Sequence, residues 1–256
     1  MTKVDRAIKK TIDYAKKYNC RLTAAEIYTR LISGENYNQK DVTKRLKLFE
    51  NELSNGRENK YLEEKIKKAE RLVKEYLIKI SDIMMVGITG SVAALHPKAD
   101  DDIDIMIITK KNKLWKTRLK LRWLIYKNKI PHRRYGYKER KNEFCFNLWL
   151  EEDSLKIPQD KQNLKNAIDL ILMIPKVNRN RTYEKFIMIN KWAEKYAASG
   201  YKKIEGSLKN KVKNENRPDL WVNRLINTLF YIPQVMYMRP KLGKGKVGRH
   251  YAFFHP

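Results

Sequence analysis

Two small groups of residues in the segment GITGSVAALHPKADDDIDIMII (87–108) have the types and spacing for phosphate chemistry. The apolar run Met84–Thr89 reads as a strand, and Gly90-Ser91 then opens a helical turn. Free N–H groups at such a turn favour an anion, Gly90 lets a ligand approach the backbone, and the Ser91 hydroxyl can donate to a phosphate oxygen. The second group is Asp102-Ile103-Asp104. On a strand these carboxylates point to one face while Ile103 and Ile105 point to the core. Paired carboxylates repel unless a cation sits between them, and hard oxygen ligands in this arrangement suit Mg²⁺ held together with substrate phosphates. A phosphate cradle beside a carboxylate pair is the equipment for two-metal phosphoryl or nucleotidyl transfer.

Gly90-Ser91, with Asp102 eleven residues beyond Ser91 and apolar strands before and after, resembles the signature of the nucleotidyltransferase superfamily typified by DNA polymerase beta. The resemblance covers Met84–Thr109 by motif and extends to about Tyr196 by element order. It implies that Asp102 and Asp104 bind two Mg²⁺ ions and that an NTP is the substrate. It also implies a third carboxylate on a later strand, able to take the proton of the attacking hydroxyl. The matching strand is EFCFNLWLE, Glu143–Glu151, and its matching position is Asn147, which offers a neutral oxygen but cannot act as a base. Strict alternation would put Glu143, Cys145, Asn147, Trp149 and Glu151 on one face. Three outcomes stay open: a slower two-carboxylate transferase, a transferase with its base elsewhere, and a binding protein that has lost catalysis. The whole chain also resembles microbial proteins known only as nucleotidyltransferase-domain proteins, with an N-terminal winged-helix-like region.

The elements around this segment divide into four contiguous parts. Residues 1–60 read as a winged-helix-like helical module: an amphipathic helix in DRAIKKTIDYAKKY, a second helix from the capping box Thr23–Glu26 to Leu31, and a third from about Asn38. The third helix turns Val42, Leu46, Leu48 and Phe49 inward and leaves Lys44 and Arg45 outside to meet nucleic acid. LSNGRENKY could be a short wing. Residues 61–81 read as a connecting helix, and 82–158 as the catalytic core, with strands at IMMVGIT, DIDIMIIT and EFCFNLWLE and a basic helix from about Leu114 to Lys129. Residues 159–256 read as a helical region with a basic tail. It holds helices in LKNAIDLILMI and TYEKFIMINKWAEKYA, a turn at Ser199-Gly200, a polar linker at Lys209–Arg217, and a last helix that Pro233 should kink. The fold class is therefore α+β, a small mixed-sheet core flanked by helices.

Fifty-six Lys and Arg against 29 Asp and Glu give a net charge of +27, the electrostatic mark of a polyanion partner or else of many solvated helix faces such as Glu63–Lys74. The charge is densest over Lys110–Lys141, fourteen basic residues and one acidic, a net of +13. Arg118 and Tyr183 are candidate nucleotide contacts, the first in a phosphate channel and the second against a base, with plain packing the alternative for Tyr183. Lys120, Arg122, Arg133 and Arg134 are candidate nucleic-acid contacts. Two separated cysteines, Cys20 and Cys145, indicate neither a disulfide framework nor a cysteine zinc site, and point to a reducing, cytoplasmic setting. No apolar stretch approaches a membrane span, so no membrane partner is expected. The expected activity is NMP transfer to an acceptor hydroxyl on RNA, favoured over DNA. The alternatives are transfer to a protein or small molecule, and a non-catalytic nucleic-acid binder.

Overall fold

A computed structural model of the chain describes residues 1–56, 59–133, 141–208, 221–243 and 245–254. In chain order its α-helices are α1 (Lys3–Lys16), α2 (Ala24–Thr29), α3 (Gln39–Leu46), α4 (Lys60–Glu75), α5 (Gly90–Ala93), α6 (Leu114–Lys127), α7 (Leu164–Leu172), α8 (Thr182–Ile189), α9 (Ala198–Ser207) and α10 (Trp221–Met238). The strands are β1 (Ile83–Ile88), β2 (Ile103–Thr109), β3 (Phe144–Glu151), β4 (Ile174–Asn178), β5 (Lys246–Val247) and β6 (Tyr251–Phe253). The fold is α+β with one six-stranded mixed sheet in the order β4-β1-β2-β3-β6-β5. None of the described helices is long and apolar enough to cross a membrane.

The chain forms two compact units, and neither is contiguous. One contains the described residues of Met1–Asn59, Lys156–Leu172 and Ile187–Lys211; the other contains those of Lys60–Leu155, Met173–Phe186 and Val212–Pro256. Two long-range strand pairings draw later residues into the sheet: β4 lies antiparallel to β1, and β6 antiparallel to β3. Pro175 sits in β4, an edge strand, where a missing N–H costs least.

The first unit starts from two capping boxes, Thr2 with Asp5 and Thr23 with Glu26, which fix the starts of α1 and α2. Ile8, Ile12, Ile27, Leu31, Val42 and Leu46 form its core. Leu48 does not join them: the chain tightens into a 3₁₀ turn over Lys47–Glu52 and leaves Leu48 67% exposed. No strand, and so no wing, follows among the described residues of 53–60. Gly200 is not in a turn as expected but inside α9. A Cβ there would collide with the Thr29 carbonyl oxygen, so glycine is what lets α9 approach α2.

In the second unit Ile103, Ile105 and Ile107 of β2 share one face of the sheet with Val86 and Ile88 of β1 and Trp149 of β3, and Leu114, Trp115, Leu121 and Ile125 of α6 pack there. Each fully buried aliphatic side chain of this kind contributes about 1.5–3 kcal/mol. β2 and β3 run parallel with α6 as their connection. Between the pairs Asp104–Cys145 and Met106–Leu148 the third strand carries one extra residue. This bulge breaks the alternation assumed from sequence, because Cys145 stays on the Asp104 face while Trp149 and Glu151 turn to the other.

Candidate functional site

The site is built where β1 ends and β2 begins. Beyond Ile88 the Thr89 N–H donates to the Asp104 carbonyl at 3.0 Å, pinning the two chains together. Gly90 then turns with φ +65°, and a Cβ there would collide with the Asp104 carboxylate. Glycine is required twice over, by conformation and by close approach. Ser91 follows, half-buried, as the second residue of α5.

Asp102 and Asp104 converge as their spacing predicts, and Cys145 joins them: a carboxylate oxygen from each and the Cys145 Sγ lie within 4.8 Å of one another. Each carboxylate has a specific donor. Arg133 Nη1 donates to Asp102 Oδ2 at 2.9 Å, and Asn147 Nδ2 donates to Asp104 Oδ1 at 2.8 Å. The Asn147 Oδ1 atom is buried and accepts no hydrogen bond. Burial first, and then the charges of Asp104 and Asp102, push the Cys145 thiol well above its ordinary range, so it stays neutral at pH 7. Two carboxylates and an unsatisfied amide oxygen make a hard-donor set suited to Mg²⁺, with the thiol the misfit among them.

The sequence places Lys65 on a solvated charged face, and the structure corrects this. Lys65 is 1% exposed, and its Nζ donates to the Asp101 carbonyl at 2.5 Å, the Ala99 carbonyl at 3.4 Å and Asn142 Oδ1 at 3.2 Å. Burial lowers its pKa, with Asp101 opposing. Lys65 therefore ties down the loop that delivers Asp102. A signal existed: counting back one helical turn from buried Ala69 puts Lys65 on the inner face of α4. Asp101 is a loop and cap residue, accepting the Lys98 N–H at 2.9 Å.

Other expected contacts lie away from this cluster. Arg118 points from α6 on the opposite face of the sheet, donates to Gln234 Oε1 at 2.8 Å and stacks 4.8 Å over Phe254; burial pulls its pKa down to about 9. Tyr183 is half-buried at the start of α8, its N–H bound to Asn178 Oδ1 at 2.9 Å, and Asn178 pairs with Met85, toward the far end of β1 from Gly90. Burial pushes its phenol to about 12. Lys120 and Arg122 are exposed on α6, and Arg122 lies 5.8 Å from the Tyr237 ring. Arg133 pairs with Asp102, and Arg134 lies outside the described residues, as does the linker Lys209–Arg217. In the first unit Lys44 is exposed, whereas Arg45 clasps Asp5 through Nε at 2.6 Å and through Nη2, which holds the Asp5 carboxyl far below its usual range. An open groove of about 940 Å³ in that unit, lined by Lys156, Gln159, Gln162, Lys191 and Trp192, holds neither aspartate.

No protein-family model matches the chain, and neither the curated proteins nor the solved structures give a match. The reading of the site rests on its geometry.

Proposed function

We propose that the chain is a divalent-cation-dependent nucleotidyltransferase that moves a nucleoside monophosphate from an NTP to an acceptor hydroxyl, with RNA the favoured acceptor. The observation that carries this reading is the meeting of Asp102 and Asp104 at the Gly90 turn, beside a buried Asn147 oxygen that has no partner. An orphaned buried acceptor costs about 1–3 kcal/mol, a cost that a bound cation would remove. Asp102, Asp104 and Asn147 would hold Mg²⁺, which supplies charge neutralisation at the triphosphate when bound.

The chain's own groups have distinct tasks on this reading. Gly90 keeps the backbone clear for a phosphate, and the Ser91 hydroxyl donates to one of its oxygens. Arg133 balances the carboxylate pair at rest and is positioned to exchange that contact for the negative charge of the departing pyrophosphate. Lys65 fixes the loop before Asp102. Neither Asn147 nor the neutral Cys145 thiol takes the acceptor's proton. The +27 charge supports a nucleic-acid acceptor, and a winged-helix-like use of residues 1–60, with Lys44 outward, belongs to the same proposal.

One observation favours a second reading, a non-catalytic nucleic-acid binder. Arg133 already neutralises Asp102 from within the chain, and no third carboxylate stands at Asn147. The deciding experiment incubates the protein and its Asp102→Ala/Asp104→Ala variant with each labelled NTP, Mg²⁺ and total RNA, then separates RNA, protein and free nucleotide. Label entering RNA with the unaltered protein alone is the expected result. Label on polypeptide would move the acceptor to a protein, and no transfer with RNA bound equally by both would establish the binder.

A further inference from the structure

Helix α10 carries apolar residues on two faces, and polar ones tie its inner face to α6. Its polar residues face α6: Asn227, 1% exposed, accepts the Trp115 N–H at 2.9 Å and donates to Glu151 at 3.3 Å, while Gln234 donates to the Trp115 carbonyl at 2.9 Å and accepts from Arg118 at 2.8 Å. Asn223 accepts from Lys113. The outward side carries Val222, Leu225, Leu229, Ile232 and Met236, from 41% to 70% exposed. Those positions are separated by three, four, three and four residues, the a/d spacing of a coiled-coil seam. Trp221, 72% exposed, adjoins it at its start, while Tyr237 lies beside Arg122 of α6. Pro233 lies beside the seam and not within it.

The inner face is mixed, with Met238 buried and Phe230 and Tyr231 packed against the core between Asn227 and Gln234, so the outward stripe is a second apolar face that the fold of this unit leaves uncovered. Charge selects the occupant. The chain carries 56 Lys and Arg, yet Arg224 is the only charged residue in Trp221–Met238, and the positions flanking the seam, Ile226, Thr228, Pro233 and Val235, are uncharged. A surface for a polyanion or an anionic membrane would carry basic residues along its rim. Depletion of charge around an apolar stripe is the composition of a protein–protein interface core. The exposed seam amounts to on the order of 700 Å² of mostly apolar surface, above what a monomer ordinarily leaves open. Two such faces together would bury roughly 1,400 Å², within the range of a stable interface. A stripe with 3-4 spacing is complementary to itself, and no like charges at its flanks oppose the pairing of identical helices.

We infer that α10 is the dimerisation helix of this protein, its Val222–Met236 stripe packing against the same stripe of a second copy. The test is sedimentation velocity of the full chain from roughly 1 to 100 µM. A doubled mass is expected, and Leu225→Glu/Leu229→Glu should raise the dissociation constant by roughly 100-fold or more while leaving the far-ultraviolet dichroism unchanged. Should that variant fold poorly, Leu229→Cys serves instead: with its new thiol mid-seam, it should form a covalent dimer on mild oxidation that the unaltered chain, with Cys20 and Cys145, does not. A monomer throughout the range, a dimer indifferent to the two glutamates, or no additional crosslink from the Leu229→Cys variant would each overturn the inference. So would a monomer that binds anionic phosphatidylserine vesicles through the same leucines, which would assign the stripe to a membrane surface.

Discussion

The β2–β3 pair carries carboxylates at both of its ends, about 20 Å apart along the strands, and the two ends use them differently. At one end Glu151 is fully buried: it accepts the Leu114 N–H at 3.1 Å and the Asn227 amide at 3.3 Å, and pairs with His250 Nδ1 at 2.7 Å. It holds the start of α6, the C-terminal strand region and α10 to a single point. At the other end Asp102 accepts from the Arg133 guanidinium and Asp104 from the Asn147 amide, both lie against a thiol, and the buried Asn147 oxygen accepts no hydrogen bond. A carboxylate that accepts from three separate elements holds structure together. The pair at the glycine turn stands beside a buried amide oxygen that accepts no hydrogen bond, and on this the proposed cation site rests.

The contrast breaks if stability and binding fail to separate along it. Glu151→Ala should cost about 3 kcal/mol in urea unfolding, because the Leu114 N–H and the Asn227 amide lose their buried acceptor, whereas Asp102→Ala/Asp104→Ala should stay within about 1 kcal/mol of the parent. The reverse ranking would make the aspartates structural. Gly90→Ala should cost roughly 2 kcal/mol, since the residue must hold φ +65° and its new methyl presses on Asp104. Calorimetric Mn²⁺ or Mg²⁺ titration should register a fall in affinity beyond that destabilisation. Arg133→Ala should act in the opposite direction: with its competing cation gone, Asp102 should bind Mg²⁺ roughly 3- to 10-fold more tightly in the same titration.

The smallest effect belongs to the structural end. The Glu151 hydrogen bond raises the His250 pKa above its ordinary 6.5, with burial opposing. A raised folded-state value means the protonated imidazolium stabilises the fold below about pH 6.5 and that this contribution disappears as pH climbs through the folded-state pKa. The melting-temperature advantage of the parent over His250→Gln should therefore shrink between about pH 5.5 and pH 8.5. A constant difference would mean that His250 acts through shape alone.

Much of the second unit's centre was legible because local pattern and tertiary environment agree there. IMMVGI, IDIMIIT and FCFNLWLE are apolar and β-branched or aromatic enough to be strands anywhere, and the Asp102–Asp104 spacing needs only a straight strand to converge. The remaining strands were not legible. IPKVN is short, holds a proline and becomes a strand only because β1 offers it an edge, and YAF does so only beside β3. Lys65 was hidden by composition, since a lysine among glutamates and lysines looks solvated until its place on the helix is counted.

What the sequence determined by itself is local: the Thr23–Glu26 capping box, the three central strands, the glycine turn and the same-face pair of aspartates, all set by residue types within a few positions. What only the tertiary structure decided is which groups meet across long separations. The bulge in β3 kept Cys145 beside Asp104 and sent Glu151 to the opposite face, Arg133 reached Asp102 from 31 residues away, and Asn227 met Trp115 from 112 residues away. Such pairings have no periodicity to betray them. They exist because buried polar groups must find partners wherever the packed chain places them.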